Sequence, residues 1–296
     1  MSLQFAVGNF SAKGGSASGG HFKMWYSGRV FSNKKIRAQY FLTGFVFLYL
    51  IGFVCSFRTW ANSLSAEEIM NRVFNRDDGE DAYFKIRMIL IDRHKNERKR
   101  ILEVYTKDYK GLTKRYLVFQ EPADIKGVKF LSWENKGKED TQYLYLPALG
   151  RARRIVSSQK RLQFVNTDYT YEDMQRRPPQ KDNHRFLGED KFGSWRCFVV
   201  ESVPKQEQSS QYSKRVSWVE KNSFVVVKRD FYNKKGEKSK EFVVKELRKV
   251  SGIWTPMKTV MTNLKRAHKT LMEIVDVKYN QGVSDELFTL YNLEKE

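Results

Sequence analysis

The side chains best placed to do chemistry are three carboxylates interleaved with two tyrosines: Asp168, Tyr169, Tyr171, Glu172 and Asp173. Carboxylates this close together can run acid–base chemistry or ligate Ca²⁺. Their spacing of i, i+4, i+5 favours a plainer role, a patch that balances the cationic cluster Arg151, Arg153 and Arg154 upstream. The remaining candidates are sparse. His94, His184 and His268 each stand alone, in an expected turn or on a polar strand face. There is no HExxH, no CxxC and no histidine pair at ligand spacing, so no metal is expected. A G-x-S-x-G elbow and a glycine-rich phosphate loop are also lacking. Cys197, between Trp195 and Phe198, reads as a small buried hydrophobe rather than half of a disulfide. The chain therefore reads as a non-enzyme that uses no cofactor.

The elements that carry these residues are strands. Tyr143-Leu144-Tyr145-Leu146 suits a pleated surface, and Pro147 and Gly150 stop it. In 84–90 the even positions Phe84, Ile86, Met88 and Leu90 are apolar, while Lys85 and Arg87 are cationic, which is the pattern of a half-buried strand. Further strands are expected at 99–107, 114–120, 127–134, 140–146, 184–189, 194–202, 213–220, 223–232, 239–249, 252–262 and 266–279. This regular spacing, with turn residues between, is that of an all-β barrel or sandwich. Ser65 with Glu67 and Glu68 starts one amphipathic helix over 66–75, in which Ile69, Val73 and Phe74 recur at helical spacing. A short capped helix is expected at 284–288. So large a sheet has one inner face that other elements must cover. Its bulky residues are Phe84, Met88, Phe130, Leu144, Leu146, Phe164, Val199 and Met272. An incompletely filled inner face becomes a greasy cavity; a fully packed one is a plain core.

The 296 residues, 41% of them apolar and 14% aromatic, can build a sizeable core. The formal net charge is +20 at pH 7. Residues 1–61 hold seven basic residues and no acidic one, which leaves 47 basic and 34 acidic residues in the remainder. No RNA-binding aromatic motif, helix-turn-helix or zinc spacing accompanies this charge, so nucleic acid is not an expected partner. Three regions follow. Residues 1–37 read as a disordered basic N-terminus, with Met24 as an alternative start. Residues 38–63 hold an uncharged run, Phe41–Phe57, followed by small residues: the h-region of a signal peptide, or a retained membrane anchor. Val54 before Cys55 argues against lipidation there. Residues 64–296 form the folded domain, which lies outside the cytoplasm in either case.

Three runs carry a family resemblance: PADIKGVKFL (122–131), YLYLPALGRARRI (143–155) and FVNTDYTYEDM (164–174). Together with Pro204-Lys205 and Gly252-Ile253-Trp254, they resemble the outer-membrane lipoprotein-sorting proteins of the LolA-like superfamily, over about Ala66 to Leu293. One departure is Val165-Asn166-Thr167, where the family pattern leads one to expect a glycine-containing approach to the Asp–aromatic pair. The resemblance implies a mainly β fold, an incomplete antiparallel barrel of about eleven strands with short lid helices over an apolar concave face. It implies a monomeric periplasmic carrier of lipid or lipoprotein acyl chains, in some members partnered by an inner-membrane exporter of the RND type. On that basis Phe84, Ile86, Met88, Leu90, Phe130, Leu144, Leu146 and Phe164 would line the cavity. Ile69, Val73 and Phe74 would form the lid, and Arg151, Arg153 and Arg154 would dock an acidic partner or an anionic head group. The alternative is a non-carrier interaction or sensor module on the same fold.

Overall fold

In the computed structural model, which describes residues 64–295, the alternating segments become strands. The basic region 1–37, the apolar run of 38–63 and Cys55 lie outside the described residues. The first arm comprises β1 (Asp81–Ile91), β2 (Glu97–Asp108), β3 (Thr113–Glu121), β4 (Lys129–Trp133), β5 (Thr141–Leu146) and β6 (Arg151–Arg154). The second comprises β7 (Asp182–Phe192), β8 (Trp195–Pro204), β9 (Lys214–Glu220), β10 (Val226–Tyr232), β11 (Lys238–Val250), β12 (Ile253–Asn263) and β13 (His268–Tyr279). All pair antiparallel in one sheet, ordered β6-β5-β4-β3-β2-β1-β13-β12-β11-β10-β9-β8-β7. The pairing of β1 with β13 joins the two arms. Strands β6 and β7 are free edges, so the sheet stays open, as expected of an incomplete barrel. The described strands number thirteen rather than about eleven. The described strand that no expected segment covers is β6, the cationic run after Gly150, whose Arg153 lies opposite Leu144.

Register turns the alternation into a continuous apolar face. Phe84 lies opposite Val104, Val104 opposite Leu117, Leu117 opposite Phe130, and Phe130 opposite Leu144. A second row runs Ile274, Ile86, Leu102, Phe119. Residues facing one another across strands share a face, so these rows build the main core cluster, with Met88, Leu90, Phe130 and Phe164 fully buried. Each such side chain contributes about 1.5–3 kcal/mol by leaving water. Val199, expected inside, is buried on the face opposite that of Val200, level with Trp218 on β9.

Helices cover both faces. The Ser65 Oγ accepts the Glu68 N–H at 3.1 Å and starts α1 (Ala66–Phe74), as its sequence predicts. Ala66, Ile69 and Met70 are buried there against Val200 and Val219 of β8 and β9. On the opposite face Tyr116, Leu131 and Tyr145 pack against Phe288 and Leu293 of the C-terminal segment, a 3₁₀ turn (Asp285–Phe288) followed by α2 (Leu290–Glu294). The Trp133 indole N–H donates to the Phe288 carbonyl at 3.0 Å and fixes that segment.

Candidate ligand-binding site

The link between the two edge strands, residues 155–181, does not skirt the sheet but enters its concave face. Its centre is a small hairpin. Phe164 N–H donates to Tyr169 O at 2.8 Å, Thr167 N–H donates to Phe164 O at 2.9 Å, and Gln163 bridges to Thr170. The reversal is made by Val165 (φ 44°) and Asn166 (φ 60°), two consecutive left-handed residues. This is the point where the family pattern leads one to expect glycine. Asn tolerates that conformation, whereas a β-branched Val does so only under external constraint. The constraint is Arg100 of β2, whose Nη1 donates to the Val165 carbonyl at 2.7 Å.

The hairpin carries Phe164, Tyr169 and Tyr171 into the main core cluster. Phe164 meets Phe130 edge-on with ring centroids 5.1 Å apart, and Phe119 lies 6.3 Å away. Both arms of the sheet grip the backbone around it. Gln142 of β5 donates to Tyr171 O at 3.0 Å, and Arg115 of β3 donates to Met174 O at 2.8 Å. From the second arm, Thr270 Oγ1 donates to Asp168 Oδ2 at 2.7 Å, and His268 Nδ1 lies 2.6 Å from the same oxygen.

The acidic cluster therefore has a different role from the one its spacing suggested. Asp168 pairs with His268 and Thr270. Glu172 meets Arg215 of β9 at 2.7 Å, and Asp173 meets Lys240 of β11 at 2.9 Å. None of the three balances Arg151, Arg153 or Arg154, which stay exposed on the edge strand. Nor is His268 solitary; its partner lies a hundred residues upstream. The Tyr212 hydroxyl donates to Asp173 at 2.8 Å. Burial, reinforced by Asp173, holds that phenol well above its ordinary range, so it remains a proton donor. Burial also pushes the Cys197 thiol up to about 11, which suits the packing role expected of it and not a nucleophile. Among the described residues no group of three or more His, Cys, Asp or Glu is arranged to hold a metal ion.

All eight expected cavity residues fall in one place. Met88, Leu90, Phe130 and Phe164 are buried in the main cluster, and Phe84, Ile86, Leu144 and Leu146 pack half-buried against it. The three expected lid residues do not join them. Ile69 and Val73 belong to the cluster on β8 and β9, and the Phe74 ring stacks under the Arg176 guanidinium at 4.6 Å. Arg151 and Arg153 share a face with Leu146 and Leu144, whereas Arg154 shares the opposite one with Tyr143. A cavity of ≈260 Å³ remains where the two arms meet, lined by the apolar Phe84, Ile86, Val104 and Ile274 and also by charged residues, among them Arg76, Asp78, Lys107 and Arg115. Sequence reasoning passed over the inward cations Arg100 and Arg115. Their signal was parity, since Arg100 shares the face of Leu102 and Val104, and Arg115 that of Leu117 and Phe119.

Solved structures share this architecture. A DUF1329 family protein from Desulfovibrio piger is 27% identical, with 77% of this chain and 97% of that one covered and a TM-score of 0.74. A domain from Vibrio parahaemolyticus, described as an outer-membrane lipoprotein-sorting protein domain, is also 27% identical, over 78% and 98% of the two chains, with a TM-score of 0.73. A LolA superfamily protein from Nitrosomonas europaea shares the fold at 18% identity, over 77% and 98%, with a TM-score of 0.60. No curated protein matches. A family model, described as that of an uncharacterized protein, matches residues 111–295. The chain belongs to this family. The matched part runs from the turn before β3 to the C-terminal helix, and so contains the whole inserted hairpin.

Proposed function

We propose that this protein is a periplasmic carrier that buries acyl chains of lipids or lipoproteins on its concave face and moves them toward the outer membrane. The observation that carries the reading is the apolar face shared by β1 to β5, covered by a hairpin of the same chain and not by another layer of sheet. The similarity to a lipoprotein-sorting domain supports it, and so does the signal-like order of residues 38–63. Hydrocarbon burial contributes about 0.8 kcal/mol per CH₂, so a chain of some fifteen methylenes gains roughly 12 kcal/mol. Gain of that size corresponds to nanomolar binding and slow release. A competitor for the same surface lowers the net affinity. Phe164, Tyr169 and Tyr171 serve as that competitor: they leave when cargo enters and return when it departs. Arg151 and Arg153, exposed on the free edge β6, are the docking cations for an acidic surface of an inner-membrane partner.

A second reading, an interaction or sensor module without cargo, is favoured by the 0% exposure of Phe164, which already occupies the centre of the face. Titration with a fluorescent fatty acid separates the two. The carrier reading expects saturable binding that Leu144→Glu weakens at least tenfold. Unchanged affinity in that variant contradicts the site, and no binding by the native protein favours the second reading.

A further inference from the structure

The cavity lined in part by Phe84, Ile86 and Ile274 has a neighbour richer in charge. A second cavity of ≈330 Å³ is bounded by arginines from both arms, and Arg76, Asp78, Arg115 and Arg176 line both spaces. Six guanidiniums face this second cavity, those of Arg76, Arg115, Arg176, Arg177, Arg215 and Arg229. Against them stand the carboxylates Asp78, Glu172, Asp173 and Asp182. Several of these charges are already committed. Arg177 meets Asp182 at 2.7 Å, Arg215 meets Glu172 at 2.7 Å, and Arg176 lies 3.6 Å from Glu134 outside the cavity lining. Asp173 is taken by Lys240.

Three guanidiniums are left over. Among the described residues Arg76, Arg115 and Arg229 have no carboxylate oxygen within 4.0 Å. Arg76 donates to the Trp254 carbonyl at 3.2 Å. Arg115 donates to the Met174 carbonyl, and Arg229 donates through Nε to Ser217 Oγ at 2.9 Å. Arg215 adds a further opening. It is 7% exposed, its Nη1 makes no hydrogen bond, and Asp182 Oδ2 is 3.7 Å from that atom. Burial lowers the Arg229 guanidinium to about 10, and Arg115 is lowered for the same reason, yet both stay cationic at neutral pH. A half-buried guanidinium with no carboxylate in contact keeps donors free, and its planar fork matches a carboxylate or phosphate.

We propose that this arginine-lined cavity receives the single anionic head, carboxylate or phosphate, of an amphiphile whose acyl tail follows the apolar residues of the cavity beside it. The proposal rests on the carrier reading and narrows its cargo to acidic-headed chains. The head would meet Arg115 and Arg229 from opposite arms of the sheet, and the tail would run along Phe84, Ile86 and Ile274.

The test is competition on the full chain. Palmitate, hexadecyl phosphate and methyl palmitate each displace a neutral fluorescent acyl probe. We expect at least one of the two anions to bind tenfold or more tightly than the ester. The preferred anion names the head as carboxylate or phosphate. The double variant Arg115→Gln/Arg229→Gln, with its fold checked by circular dichroism, should lose that preference while its ester affinity stays within twofold. Arg229→Lys should keep most of it. Equal binding of anions and ester by the native protein overturns the head site and leaves the carrier reading standing, and this comparison needs no variant. Retained preference in a folded double variant overturns the assignment to these arginines. If none of the three ligands binds, the carrier reading falls and the head site with it.

Discussion

At the scale of single residues the interior is held by pairs that no local pattern reveals. Asp168 and His268 meet across a hundred positions of sequence, and Asp173 finds Lys240 across 67. Each looked unpartnered, or seemed paired with Arg151, Arg153 and Arg154, because sequence shows neighbours and only a register brings remote strands together. The inward apolar face was legible for the opposite reason. Their face follows from period-two alternation, and Phe84, Ile86, Met88 and Leu90 lie where that parity puts them. One residue carries a pH prediction. Burial, with Glu134 nearby, raises Asp140 from 3.8 to about 6. Between pH 4 and 6 the folded chain therefore keeps a proton that the unfolded chain releases. Stability falls as pH rises through this window, and the cost is complete above it. Asp140→Asn should accordingly be more stable than the native protein at pH 7.5, by on the order of 1 kcal/mol, with no gain at pH 4. Urea midpoints at the two pH values check this; an equal gain at both would remove ionisation as the cause.

Among the elements, the strands and α1 could be read from alternation, turn residues and the Ser65 cap. Two pieces could not. Strand β6 follows a stop at Pro147 and Gly150 and has no apolar alternation, since Arg151-Ala152-Arg153-Arg154 is charged on both faces. Cations of this kind are a common device for keeping an edge strand from pairing with another chain. The hairpin at 163–170 lacks the glycine that would announce a reversal, and Val165 and Asn166 make the turn only because Arg100 holds it from the sheet. Arg100→Ala should therefore loosen the hairpin selectively. Amide exchange over 164–170 should speed up at least tenfold while β1, β2 and β13 keep their protection. A uniform loss of protection would mean that Arg100 supports the sheet and not the turn.

Taken whole, the molecule is one open sheet whose two arms meet at β1 and β13 and whose free edges are joined by a segment folded into the concavity. Guanidiniums from both arms stand beside the apolar residues of β1 and β13, an arrangement suited to a guest with a tail and a charged head. The family and the open β fold were legible in PADIKGVKFL, YLYLPALGRARRI and FVNTDYTYEDM. The last of these runs is the one that forms the hairpin, so the segment most telling of family is also the one that covers the proposed binding face. Helix α1, which the resemblance casts as the lid, packs on β8 and β9, and its Val73 and Phe74 line the arginine-bounded cavity. The central claim is that this concave face takes up an acyl chain in place of the hairpin's aromatic residues. Native mass spectrometry of the protein isolated gently from its own host tests it most directly. The account predicts a bound species of lipid mass, released on activation and carrying an acyl chain. Protein that is uniformly ligand-free, and that takes up no fatty acid when one is added in excess, would contradict it.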